Sequence, residues 1–134
     1  LLTMQRLARE RDRVRVVSDQ FGAPTWSRSI ADATGQILSM WLSPGTTAGN
    51  RRELSGIYHL TCAGRTSWHG FASAIFESMQ NAGERIAQLD AITTAEYPVA
   101  ARRPVNSVLG GEKLHHAFGI HMPSWDEALK LCLS

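Results

Sequence analysis

The sequence predicts an α/β or α+β unit with few strands, on three observations. Helical signals alternate with roughly three short runs rich in β-branched and aromatic residues. Neither an internal repeat nor a low-complexity tract breaks that alternation. Hydrophobic residues make up 43% and charged residues 19% of the 134-residue chain, a balance that supports one packed domain and excludes a disordered one. Three short strands rarely make a free-standing sheet, so the chain reads as a lobe that docks onto something larger.

Taken in order, Leu1, Leu2, Met4, Leu7 and Ala8 recur at helical spacing and predict an amphipathic helix of about 11 residues. No capping residue precedes Leu1, which leads to the expectation that residues upstream are missing. Val14 to Val17 read as a strand. Ser27 is the expected cap of a second helix with Ile30, Ala33, Ile37, Leu38 and Trp41 on one face. Leu42 to Ser55 read as a polar loop, and "GIYHLTC", Gly56 to Cys62, as a second strand. Ser67 caps a third helix whose buried stripe runs Trp68, Phe71, Ala72, Ile75, Phe76 and Met79, with Gly83 closing it. Arg85 to Thr93 predict a third strand, Lys113 to Phe118 a short helix, and Ser124 with Glu127 a capping box on a last helix.

Composition excludes several functions. A formal net charge of +2, with no Lys/Arg run interleaved with aromatics, gives no basis for a nucleic-acid partner. Cys62 and Cys132 stand at no metal or redox spacing and read as buried thiols of a cytosolic protein. No apolar run nears the ~18 residues that span a bilayer, and no signal peptide is read. The sequence lacks a Gly-rich strand–turn–helix motif, a Tyr-x-x-x-Lys pair, Gly-x-Ser-x-Gly, His-x-x-x-His and Cys-x-x-Cys. His115 and His116 would diverge by about 100° on a helix and cannot share a metal, while His59, His69 and His121 stand alone.

Two stretches carry positive signal. In "SDQFGAPT", Ser18 to Thr25, Gln20 offers an amide, Phe21 a flat apolar face, Pro24 a fixed turn and Thr25 a hydroxyl beside a helix start. That set suits a polar or anionic ligand, and it equally fits a plain turn with a helix cap. In "AARRPVNSVL", Ala100 to Leu109, Arg102 and Arg103 sit beside Pro104 and near Asn106. Paired guanidinium forks can grip a diphosphate, and they can also be two solvated surface charges.

These two blocks, with "GIYHL", "SWHGFA" and "PSWDEAL", resemble the carboxyl-terminal part of the dTDP-4-dehydrorhamnose reductase family, a branch of the extended short-chain dehydrogenase/reductases. The resemblance runs from Leu1 to Ser134. It implies the C-terminal portion of a Rossmann-type fold: residues 1–134 as a small mixed α/β substrate-binding lobe, with the N-terminal dinucleotide-binding part absent. It implies NADPH-linked reduction of the 4-keto group of dTDP-4-dehydro-L-rhamnose to dTDP-L-rhamnose, for surface polysaccharides, in a bacterial cytoplasm. NADPH and the catalytic Tyr and Lys would belong to the missing part, leaving no catalytic residue here and a fragment inactive alone.

On the substrate side the resemblance assigns Gln20, Phe21, Gly22 and Thr25 to the sugar-nucleotide cleft, and Arg102, Arg103 and Asn106 to the diphosphate or its surroundings. Some family members pair subunits through a metal such as Mg2+ held by acidic side chains, one of them just after the Gly-Ala-Pro-Thr turn. Here that region reads Trp26-Ser27-Arg28-Ser29, with no carboxylate, and the expectation is no metal site. A second expectation is a non-catalytic regulatory or protein-binding module derived from the same fold. An interdomain face left open on a lobe is apolar, which leads to the expectation of marginal stability or self-association.

Overall fold

The computed structural model describes residues 1–101 and 103–134. Its elements run α1 (Leu2–Glu10), β1 (Arg13–Val17), β2 (Phe21–Gly22), α2 (Ser27–Leu42), α3 (Ala48–Glu53), β3 (Thr66–Ser67), α4 (Trp68–Asn81), β4 (Gln88–Ile92), a 3-10 turn (Thr94–Glu96), α5 (Glu112–Phe118) and α6 (Trp125–Leu133). The chain packs as two compact units. One joins Leu1–Gly22 to Arg65–Val108, the other Ala23–Gly64 to Leu109–Ser134.

The first unit is organised by β1 and β4, which pair in parallel from Arg13 opposite Gln88 to Val17 opposite Ile92. Parallel neighbours cannot be joined by a hairpin, and the path between these two includes α4, which packs on β1, on β4 and on α1. The pleat buries Val14 and Val16, and the 3.6-residue period of α4 buries Ala72, Ile75, Phe76 and Met79. Gln88 N–H donates to Asp12 O at 2.8 Å and Ser18 N–H to Ile92 O at 2.9 Å. Alternate residues of a parallel strand bond the same neighbour. Arg13, Arg15 and Val17 therefore turn their amide and carbonyl groups away from β4.

Both ends of α4 are closed as the sequence predicts. Ser67 Oγ accepts the Gly70 N–H at 3.0 Å. At the other end Gly83 adopts φ +82°, a left-handed value that a side chain disfavours. Its N–H reaches Gln80 O at 2.8 Å and the Glu84 N–H reaches Met79 O at 3.1 Å, which satisfies two otherwise orphaned carbonyls. Arg9 then clamps this turn to α1 with a two-pronged bond, Nε to Glu84 Oε2 at 2.6 Å and Nη2 to Oε1 at 3.0 Å.

The second unit centres on Ala33, Leu114, Phe118 and Ile120, with Tyr58, Leu60 and Met122 packed around them. Gly119, at φ +65°, ends α5. Ser124 and Glu127 make the predicted capping box on α6.

Three expectations are corrected. "GIYHLTC" forms no strand; among the described residues the one pairing beside it is a single bridge from the following Ala63 to Ser124. It has no strand to ladder with, so side chains hold it instead. Tyr58 meets the edge of Phe118 at 5.1 Å, its hydroxyl donates to Leu54 O at 2.8 Å, and Lys113 Nζ lies 4.5 Å over its ring. The predicted loop 42–55 contains α3, whose first turn is closed by Thr47 Oγ1 accepting the Asn50 N–H. Ser27 is the first residue of α2, and the cap position is Trp26, with no side-chain cap bond.

Ser67→Ala is expected to lower stability by about 1 kcal/mol, the usual value of a lost cap. Ser27→Ala should change it by less than about 0.5 kcal/mol, because that hydroxyl caps nothing. Urea unfolding of the two variants beside the parent checks both values.

Candidate functional site

Where β1 ends, side chains take over the ladder from the backbone. Ser18 Oγ donates to Ile92 O at 3.1 Å. Asp19 then accepts the Thr94 N–H at 2.9 and 3.0 Å on its two oxygens and the Thr94 hydroxyl at 2.6 Å. Those bonds, the hydroxyl first and the amide second, hold the Asp19 carboxyl below its ordinary pKa. Gln20 Nε2 donates to Thr94 Oγ1 at 3.1 Å. Gln20 is 7% exposed, the only buried polar residue among the described residues.

Phe21 follows and joins three segments. It pairs antiparallel with Ser67 and bridges in parallel to Asn106. Its N–H donates to Val105 O at 2.8 Å, and its carbonyl accepts the Ser107 N–H at 2.9 Å and Ser107 Oγ at 3.0 Å. A Cβ on Gly22 would stand 3.0 Å from Ser107 Oγ, so a side chain there would press on the bond that holds this loop. Residues 18–22 of the first stretch and 103–108 of the second are thus brought side by side within the first unit.

They border one cleft of about 400 Å3. Leu7, Val14, Val16 and Phe71 supply apolar lining, and Gln20 and Arg103 are its polar members from the two stretches. Trp68, placed by its spacing in the buried stripe of α4, lines this cleft at 52% exposure. Arg103 is exposed and forms no ion pair among the described residues. Asn106 Oδ1 accepts the Val108 N–H at 3.4 Å, which leaves its Nδ2 without a partner among the described residues. Arg102 lies outside the described residues. Thr25 belongs to the second unit, where its hydroxyl donates to Ala23 O and accepts the Cys62 N–H, both at 3.0 Å.

Four residues whose contacts matter escaped the sequence reading. Asp19 and Thr94 bond across 75 residues of chain, a separation that no local pattern reveals. Arg65 places its guanidinium 3.9 Å over the Phe21 ring. His121, read as isolated, stacks on His115 with ring centroids 3.7 Å apart. Among the described residues no group of three or more His, Cys, Asp or Glu could hold a metal ion. A dinucleotide cradle does not fit these residues either. In the Gly pair that opens a helix, Gly110–Gly111 before α5, Gly110 lies against the Glu112 carboxylate, whose charge opposes a pyrophosphate. No described helix is long and apolar enough to cross a membrane.

The architecture, a mixed α/β unit with few strands, is that of the Rossmann-like extended short-chain dehydrogenase/reductases. It superposes on dTDP-4-dehydrorhamnose reductase from Clostridium acetobutylicum with a TM-score of 0.79 at 30% identity, covering 98% of this chain and 41% of that one. The enzyme from Bacillus anthracis, solved in complex with NADP, gives 0.78 at 29% identity, covering 97% and 41%. In sequence, the dTDP-4-dehydrorhamnose reductase of Burkholderia thailandensis is 48% identical over 99% of this chain and 45% of its own length. That of Escherichia coli K12 is 39% identical over 98% and 42%. The family model for the RmlD substrate binding domain matches residues 1–134, and the chain belongs to that family. It spans less than half the length of these relatives.

Asp19, with its lowered pKa, stabilises the fold above the ordinary carboxylate range, near pH 3.9, and that contribution is lost as pH falls through the lower folded value. Asp19→Asn should therefore melt below the parent at pH 7, with the gap closing under about pH 4. Thermal melts across that range check it; a gap that stays constant with pH would remove Asp19 as its source.

Proposed function

We propose that this chain is the substrate-binding part of an NADPH-dependent dTDP-4-dehydrorhamnose reductase of nucleotide-sugar biosynthesis in a bacterial cytoplasm. The observation that carries the reading is that Gln20 and Arg103, far apart in sequence, line one cleft. In this reading Arg103 grips the diphosphate, with Arg102 beside it in sequence. Asn106 offers its amide N–H groups, unpartnered among the described residues, close to Phe21, and Gly22 shapes the turn that borders the ligand. NADPH would supply the hydride from residues outside this chain, consistent with the poor fit of Gly110–Gly111 to a dinucleotide and with the missing Tyr-x-x-x-Lys. The names of the relatives support the same reading.

An apolar cleft and a β1 edge whose backbone groups are unpaired among the described residues also fit a surface that another part of a larger protein covers. The isolated chain is expected to self-associate, and sedimentation over a range of concentrations checks this; a monomer throughout would contradict it.

In the full-length protein Arg103→Ala should weaken dTDP binding about 10- to 150-fold, the loss of one charge-assisted bond worth about 1.5–3 kcal/mol. Calorimetric titration measures it, and an unchanged affinity would assign Arg103 to the solvated surface. NADPH oxidation with dTDP-4-dehydrorhamnose should occur in the full-length protein and be absent in this chain alone. A full-length protein that binds dTDP but never oxidises NADPH would favour the regulatory module.

A further inference from the structure

We infer that Asp19 and Thr94 are positioning residues that fix the Gln20 amide, so that Gln20 Oε1 reads an uncharged hydrogen-bond donor on the ligand. The inference rests on the proposed ligand role of the cleft and deepens it.

The chain of bonds leaves one arrangement. A carboxylate only accepts, so the Thr94 hydroxyl spends its single proton on Asp19, at 2.6 Å. Thr94 Oγ1 can then only accept, and the group facing it at 3.1 Å is the Gln20 NH2. Turning the amide over would set its oxygen against the Thr94 lone pairs, in a side chain only 7% exposed, where little water could repair the loss. Thr94 is itself held by its backbone, whose N–H bonds both Asp19 oxygens.

The far end of the same amide is open. Gln20 Oε1 has no partner among the described residues, and it is not among the atoms sealed from solvent without one. Gln20 lines the cleft. An acceptor fixed in this way favours a hydroxyl or imide N–H and repels an oxyanion. The cleft is therefore divided, with Arg103 on the anionic portion of the ligand and Gln20 on a neutral donor. In a nucleotide sugar that donor is either a sugar hydroxyl or the imide N–H of the pyrimidine, which share this chemistry.

The test uses the full-length protein, titrated with dTDP and with dTDP-L-rhamnose. Thr94→Val should weaken binding about five- to twentyfold, the size of one hydrogen bond, and Thr94→Ser should restore it to within about twofold. Asp19→Asn should weaken it as Thr94→Val does, because an amide at position 19 can donate to Thr94 and release its proton to turn Gln20 over. In turnover the loss should fall on the KM for the sugar nucleotide, with the KM for NADPH unchanged. A loss shared by both ligands places the donor on the nucleotide, and a loss confined to dTDP-L-rhamnose places it on the sugar. Parent-like affinity in Thr94→Val, or no recovery in Thr94→Ser, overturns the inference. Should Thr94→Val not fold, parent-like affinity in Asp19→Asn overturns it instead. If Arg103→Ala weakens binding while these variants do not, only this inference fails. If Arg103→Ala and Gln20→Leu both bind like the parent, the proposed function fails with it.

Discussion

The contact on which most of the first unit depends is the meeting of Asp19, Gln20 and Thr94 at the end of the parallel pair β1–β4. A two-stranded parallel ladder has few backbone bonds of its own, and here it is lengthened by side chains that imitate one. Ser18, Asp19 and Gln20 each bond to the segment that leaves β4, between Ile92 and Thr94. The junction fixes where Phe21 begins, and Phe21 in turn anchors both the Ser67 cap region and the loop through Asn106. One polar knot therefore sets the register of three segments that are remote in sequence.

The sequence disclosed those parts of this arrangement that local chemistry determines. The cap at Ser67, the Gly83 stop and the Ser124–Glu127 box are short-range devices, and each lies where its residues predict. Strands were legible only where a partner exists. Val14–Val17 has β4 beside it, whereas "GIYHLTC" carries the same β-branched and aromatic composition with no neighbour to complete it. The short helix α3 was hidden because Gly49 and the surrounding polar residues read as loop, although Thr47 is a sound cap.

Gln20 and Arg103 stood out within their own stretches, as an amide and a guanidinium in turn-rich settings. Asp19 and Thr94 did not, since an Asp after a strand and a Thr in an irregular run are ordinary residues until the fold joins them. Arg65 was silent for a similar reason: its value comes from the Phe21 ring beneath it. A lone Trp at a helix start reads as core, and only the exposed position of Trp68 shows it to be cleft wall.

The chain passes between its two units at Gly22–Ala23, Gly64–Arg65 and Val108–Leu109, so neither is a contiguous piece of polypeptide. During synthesis β1 leaves the ribosome long before the β4 segment that completes it. The nascent chain must carry its first strand unsatisfied through the making of most of the second unit, a slow, non-local closure of the kind that folding helpers protect. The same interleaving means that a protease cut at any one crossing frees neither half: the severed product stays threaded to its neighbour by the remaining two.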